Sequence, residues 1–407
     1  MKLAVTAEGT RGDIYPMLAL AERIEASGNE VVFCAPPDFE EETRARGLAF
    51  RSVGRDIREY LTAEAGSLHG GALAMAKAAG EMMKDNVGRQ FADLRAAATG
   101  CDGILSAGTQ IAAGSIAEHL GVPHRFIAYD PILLRSVTHP PVFCSRPNLP
   151  RWVNRLLWRV QGRLLHLGMG KTVNNERVTL GLPPTRDLYG LLLGKDPLLA
   201  AEERLAPIPP DAQRVQCIGC LHPFDETPLP EKLETFLDAG PPPVYIGFGS
   251  MTDPDPQRST ALLLDAIERA EVRAIVSAGW AGLGAVSLPS HVEVVGAVDH
   301  SSLFRRVSVV VHHGGAGTTT TAARAGVPQI LVPHVLDQFH WAARIQRLGV
   351  GPPPLMRRKL TADGLAQNLR AVCENEWLAD NAAELGDGLR ADLSRRGDPA
   401  EAMIRAS

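Results

Sequence analysis

The chain has no excess of basic residues, no long apolar run and no second cysteine pair to match its single CxxC. With 42 Lys and Arg against 46 Asp and Glu, its net charge is −4 and its pI near 6.3. No basic stripe is visible, which argues against nucleic acid as a partner. A phosphate-bearing ligand is not excluded, because backbone amides at a helix start hold an anion without a basic surface. No segment reaches the roughly 18 consecutive apolar residues that a membrane helix needs. Met1-Lys2-Leu3-Ala4-Val5 runs straight into a strand pattern, so we expect no signal peptide, no stable membrane insertion and a cytoplasmic location. Six cysteines are scattered along the chain, and only Cys217-Ile218-Gly219-Cys220 forms a CxxC. A lone pair is weak evidence for zinc or redox chemistry. It reads better as two small apolar residues in a connecting strand. Long repeats and low-complexity tracts are missing too.

What is present is an ordinary globular composition, 45% hydrophobic and 22% charged over 407 residues. That length suits two domains of about 200 residues each. Short apolar runs alternate with helical stretches: strands are predicted over 3–7, 31–35, 103–107 and 125–129, with a helix over 15–27. The runs are too continuous for strands buried on one face, so they predict a parallel sheet covered on both sides. The pattern restarts with strands over 244–248, 274–277, 292–296, 307–311 and 330–332. We therefore expect two doubly wound α/β domains, 1–222 and 244–381. A proline-stiffened linker is expected over 223–243 and a helical tail over 382–407. Ligands of such sheets bind beyond the carboxyl ends of the strands.

The most specific segment is His312-His313-Gly314-Gly315-Ala316-Gly317-Thr318-Thr319-Thr320-Thr321, between a strand and a helix. Its small residues let backbone approach a ligand, and the helix start offers free amides and a positive dipole end to a diphosphate. A plain glycine turn with capping threonines is the competing reading. Further on, Asp337-Gln338 follows another strand; the pair can exchange hydrogen bonds with vicinal sugar hydroxyls, or Asp337 can cap a helix. Asp13, just after the first strand, suits a proton acceptor facing the cleft or a helix cap, with Pro16 in the first turn. At an ordinary pKa near 3.9 a carboxylate is a weak base, so burial or a partner would have to raise it. Met75, Met82 and Met83 offer soft surface for a hydrophobe or simply pack a helix. Asp253-Pro254-Asp255 is formally a DxD, but in a proline-broken loop it reads as the lead-in to a helix, with no metal.

Together, Val309 to Gln338 resembles the donor signature of the family 1 nucleotide-sugar-dependent glycosyltransferases, in their bacterial natural-product and sterol glucosyltransferase branch. Gly9-Thr10-Arg11-Gly12-Asp13-Ile14-Tyr15-Pro16 resembles the N-terminal motif of that branch, and Tyr245 to Met251 its phosphate loop. The resemblance covers both halves and is weakest over 60–100 and 146–209. It implies a GT-B fold, two facing Rossmann-like domains with the acceptor on the first and the donor on the second. It also implies a C-terminal helix that crosses back, and inversion at the anomeric carbon. By position it assigns His313, Ser250, Gly315, Gly317 and Thr318 to the donor phosphates. Asp337 and Gln338 fall to the sugar, Trp280 and Val298 to the base pocket, Asp13 to proton abstraction, and His139 of the His-Pro-Pro element, with Met75 and Met82, to the acceptor. The expected partners are a nucleotide-sugar donor, UDP-glucose first, and a lipophilic small-molecule acceptor. No cofactor is expected, and the chain should be a monomer or weak dimer.

Three other readings compete. A nucleotide-sugar epimerase of the same fold needs no acceptor pocket. A non-catalytic partner protein would be expected to lose His313 or Asp13, and this chain keeps both. A dehydrogenase would need a GxGxxG fingerprint that Gly9-Thr10-Arg11-Gly12 does not make.

Overall fold

The computed structural model describes residues 1–9, 11–56, 71–221, 227–249, 255–277 and 288–395, with backbone alone over 71–83, at 256 and over 393–395. The N-terminal half contains strands β1 (Lys2–Glu8), β2 (Glu30–Ala35), β3 (Ala49–Ser52), β4 (Gly103–Gly108), β5 (His124–Ala128), β6 (Leu198–Leu199) and β7 (Gln216–Cys217). Its helices are α1 (Arg11–Ala26), α2 (Glu40–Ala45), α3 (Gly71–Ala98), α4 (Ala113–Leu120), α5 (Arg151–Thr179) and α6 (Leu188–Leu193). The C-terminal half begins with α7 (Glu231–Asp238) and β8 (Val244–Gly247), followed by α8 (Pro256–Ala270), β9 (Ala274–Ser277), β10 (Val292–Val295) and α9 (His300–Phe304). It ends with β11 (Val309–His312), α10 (Ala316–Ala325), β12 (Gln329–Leu331), α11 (Gln338–Arg347), α12 (Ala362–Cys373) and α13 (Glu376–Arg395).

Both sheets are parallel. The first has the order β3-β2-β1-β4-β5-β6-β7 and the second β10-β9-β8-β11-β12. Six of the seven residues of β1 are buried, as are all four of β11. That is the physical content of their unbroken apolar runs. In each sheet the order reverses beside the first strand, between β1 and β4 and between β8 and β11. A crevice opens at such a switch point, beyond the carboxyl ends.

A third core joins the two halves. Phe126, Ala128, Trp158 and Leu199 pack in one cluster with Ala323, Leu331, Trp341, Ile345 and Leu389. Arg324 of α10 pairs with the buried Glu202, and Arg344 of α11 donates to the carbonyl of Leu205 at 2.7 Å. Asp392, on α13, meets Arg204 at 2.6 Å.

Three local expectations change. Helix α1 starts at Arg11 rather than Tyr15, so Pro16 lies inside it and Asp13 sits in its first turn instead of capping it. There the acidic side chain complements the helix dipole. The two-residue strands β6 and β7 are too short to leave a periodic signal. The segment 223–243, expected as an extended linker, contains α7. Leu229, Leu233 and Leu237 recur every fourth residue and join the core formed by Tyr245, Ile275, Leu303 and Phe304, so tertiary burial overrides the flanking prolines. Leu233→Ala should therefore cost about 2–5 kcal/mol in urea unfolding; a variant as stable as the parent would return the segment to a passive linker.

Candidate active site

One wall of the cleft is built where β1 turns into α1. Gly9 makes the turn at φ +143, and a Cβ there would lie 2.2 Å from Oδ2 of Asp13. Gly108, at the end of β4, has φ +66, and its Cβ would lie 2.0 Å from the carbonyl oxygen of Glu8. Glycine at both positions thus allows the two strand ends to close around the Asp13 carboxylate. The hydroxyl of Tyr129 donates to the backbone carbonyl of Asp13 at 2.6 Å, fixing the helix start from β5. Thr10 lies outside the described residues.

Across the cleft, β11 delivers two histidines with different tasks. His312 is fully buried. Its Nδ1 accepts the Gly314 amide at 3.1 Å, so its Nε2–H donates to Oε1 of Gln329 at 2.9 Å. Burial pushes its pKa down to about 3, and it acts as a neutral brace for the glycine turn. His313 projects beside two glycines: a Cβ on Gly249 would meet its Cε1 at 3.1 Å, and one on Gly315 its Nε2 at 2.7 Å. Burial, then the neighbouring His334, lowers His313 to about 4, so it is neutral near pH 7. Its Nδ1 is buried without a hydrogen-bond partner. Helix α10 starts at Gly315, which has no capping side chain. The threonines do not cap it. Thr319, Thr320 and Thr321 return their hydroxyls to the carbonyls of Gly315, Ala316 and Gly317 at 2.8–3.0 Å. Thr318 makes no such bond, and the first-turn amides at Ala316, Gly317 and Thr318 have no intrahelical partner. An uncapped helix start beside an unpartnered imidazole nitrogen suits an anion.

The loop after β12 closes the site. Oε1 of Gln338 accepts the amides of His334 at 2.7 Å and Val335 at 3.1 Å. This corrects the expectation that the whole Gln338 amide faces the cleft: its acceptor half holds the loop. Leu336 sits at φ +52 in that loop, a strained position for a branched side chain. Asp337 stands at the cap position of α11. Burial raises it to about 6, and the charge of Asp13 adds to the effect. Carboxylates from opposite halves therefore sense each other across the cleft. Behind them lies Asp130. One of its oxygens accepts the Ile132 amide at 2.8 Å, and the other is buried without a partner. Burial, then Asp337, holds Asp130 well above the ordinary carboxylate range. Burial also lowers His340 to about 3, so its 3.8 Å approach to Asp130 joins two neutral groups.

His139 is buried at the junction of the halves, edge-on to Trp158 and His340 at centroid distances of 5.9 and 6.2 Å. Its Nδ1–H donates to the Pro140 carbonyl at 3.0 Å, which leaves Nε2 as a buried acceptor without a partner. Its ring contacts run to α5 and α11. Val298 packs on the core around Leu303 and Phe304. Next to it, Asp299 caps α9 through the amides of Ser301 and Ser302, and His300 bonds the Tyr245 hydroxyl at 2.9 Å. Asp255 caps α8 by accepting the Arg258 amide at 3.1 Å. Ser250, Asp253 and Trp280 lie outside the described residues, as do the side chains of Met75, Met82 and Met83. The sequence reading missed Glu8, Tyr129, Asp130 and His340. The signal available for Glu8 was a charge ending an apolar strand, and for Asp130 an acid between a strand and Pro131.

Comparison with known proteins places this geometry. Residues 3–98 match the glycosyltransferase family 28 N-terminal domain, and residues 261–404 match the erythromycin biosynthesis protein CIII-like C-terminal domain. The chain is 37% identical to glycosyltransferase GtfE of Amycolatopsis orientalis over 86% of its own length and 85% of the relative's. It is 36% identical to the vancomycin aglycone glucosyltransferase of the same organism, again over 86% and 85%. Its fold is similar to the crystal structure of glycosyltransferase VinC in complex with dTDP, with TM-score 0.68, 22% identity and 96% of each chain covered. With two parallel α/β domains meeting at their strand ends and relatives of this identity, the chain belongs to the family 1 glycosyltransferases of GT-B fold and is a glycosyltransferase of the natural-product type.

Proposed function

We propose that the enzyme transfers a hexose, from UDP-glucose in the first instance, to a hydroxyl of a lipophilic small molecule such as a polyketide, macrolide or sterol-like product, with inversion. One observation carries the reading: an uncapped helix start with an unpartnered imidazole nitrogen, on the half that also carries Asp337, whose protonated form is favoured by burial and in lesser part by the charge of Asp13 from the other half. In this reading residues 1–222 hold the acceptor, residues 244–381 hold the donor, and the 382–407 tail crosses back; its Asp392–Arg204 pair supports the crossing. The donor diphosphate lies against the amides of Gly317 and Thr318 and against Nδ1–H of His313. Asp337 and Gln338 hold the sugar. VinC binds dTDP, so thymidine diphosphate is the nucleotide to test beside uridine diphosphate.

The step follows from that placement. The acceptor oxygen bonds to the anomeric carbon as the bond to the leaving diphosphate oxygen breaks, its electron pair going to the diphosphate. The hydroxyl proton goes to Asp13. Asp337, negatively charged and buried beside it, makes Asp13 a better base and faces the positive charge that develops on the sugar. The α10 amides and His313 hold the charge of the leaving group, and no metal is needed for that task.

Three outcomes test this function. Asp13→Asn keeps the side-chain size and should cut turnover by at least about 100-fold while donor affinity stays within a few-fold. Retained turnover would remove Asp13 as the base. His313→Ala should weaken nucleoside diphosphate binding by calorimetry by about 1.5–3 kcal/mol, the worth of a hydrogen bond to a charged group; unchanged affinity would move the diphosphate elsewhere. After dialysis against excess EDTA, turnover should be unchanged. Activity lost and then restored by magnesium or manganese would return Asp253 and Asp255 as ligands.

A further inference from the structure

Glu8 ends β1 with its side chain 2% exposed. Its Oε1 accepts the Asn86 side-chain amide at 2.8 Å, while Oε2 is buried with no hydrogen-bond partner. The absence of a side chain at Gly54 makes room for it, since a Cβ there would lie 2.7 Å from Oε2. Gly9 and Thr10 separate the end of β1 from Arg11, the first residue of α1. A Cβ on Gly108 would meet both the Glu8 carbonyl oxygen, at 2.0 Å, and Cβ of Asp13, at 3.5 Å, so the strand end that carries Glu8 lies beside Asp13.

No cation among the described residues pairs with Glu8. Three elements surround it. From α1 comes Asp13. From α3 come the neutral Asn86 and the acid Asp93, whose carboxylate accepts the Gly54 amide at 3.2 Å. From the turn after β3 comes Arg55, whose guanidinium is held by Asp85 at 3.1 Å. The backbone amide of Arg55 donates to Oδ1 of Asn86 at 3.1 Å, which turns the Asn86 NH₂ towards Glu8. A buried carboxyl with one donor, no cation and an acid next to it is costly to a fold when ionised. Groups held at such a cost concentrate at functional sites.

We propose that Glu8 is a positioning residue for the transfer step, its buried charge strengthening Asp13 as the acceptor of the hydroxyl proton. The inference rests on the reading of Asp13 as the base. A like charge at short range favours protonation of its neighbour. Transfer is fast with Glu8 ionised. It slows when Glu8 takes up a proton, because Asp13 then loses the neighbour that made it basic. Burial, opposed by the Asn86 hydrogen bond and assisted by Asp13, raises Glu8 to about 7. The acid limb of the pH–rate profile therefore falls between pH 6 and 8, and kcat/KM rises with pH through it.

The test is kcat/KM against pH for the full chain and for three variants. Glu8→Gln keeps the shape and the Asn86 contact but cannot ionise. Its profile should be flat from pH 6 to 8, with activity at pH 8 lower by about 3- to 10-fold, as expected for a weakened base, and with donor KM unchanged. Asn86→Ala removes the one donor that favours the ionised carboxyl and should move the limb to higher pH; this serves if the first variant does not fold. Stability gives an independent readout. Glu8 binds its proton more tightly folded than unfolded, so its stabilising effect is complete below its ordinary value of 4.5 and lost as pH rises through about 7. Glu8→Gln should therefore melt at a higher temperature than the parent at pH 8. An acid limb that persists in Glu8→Gln and stays in place in Asn86→Ala overturns the role of Glu8, with Asp13→Asn still inactive. Turnover retained by Asp13→Asn instead overturns the reading of the base, and this inference with it.

Discussion

Two carboxylates that repel each other, Asp13 from the first half and Asp337 from the second, are held within electrostatic reach across the cleft, and much of the tertiary structure serves to keep them there. Repulsion of that kind would open two loosely tethered domains. The shared core of Phe126, Trp158, Leu199, Leu331, Trp341 and Ile345 opposes it by burying apolar surface from both halves together. The buried Arg324–Glu202 pair and the Arg344 contact to Leu205 add directional bonds that select one arrangement. Because Trp341 and Ile345 lie on α11, the helix that Asp337 begins, the packing that joins the halves also aims the carboxylate. The cost appears as raised affinity for protons at Asp337, Asp130 and Glu8. Buried acids left under-compensated fit a site that trades stability for chemistry.

The start of α10 follows the opposite electrostatic rule. Its two histidines are neutral, and the attraction for an anion comes from amides and from one imidazole N–H. A neutral cradle has a physical advantage wherever an anion must be held and then released. Fixed dipoles hold the developing charge without the desolvation that a buried cation would require. His312 and His313 are adjacent in sequence yet divided in role, because the strand alternates its side chains between faces. One is directed to Gln329 and the core; the other faces the glycine turn.

The relatives include a glycosyltransferase named for the vancomycin aglycone. On the first half, several buried polar groups are incompletely bonded. Glu8, Asp130 and His139 all bury a polar atom that has no partner inside the protein. Such atoms normally find a partner. His313 in the second half also buries such an atom, so both halves leave polar atoms that substrate or bound water can complete.

The sequence by itself determined the doubly wound class, the strands that lead into the site and the glycine-rich start of α10. All three are local: a strand buried on both faces reads as an unbroken apolar run, and a turn with φ near +100 requires glycine, as Gly314 shows. It also marked Asp13, His313 and Asp337 as residues just beyond strand ends. Tertiary structure decided what their side chains meet. Helix α7 exists because a core formed by distant strands accepts Leu229, Leu233 and Leu237. Gln338 braces its own loop because that loop turns through Leu336 in a left-handed conformation. Glu8 became a buried acid only when α3, through Asn86 78 residues away, closed over the end of β1. Burial and charge depend on what the rest of the chain brings alongside, and no window of sequence contains that.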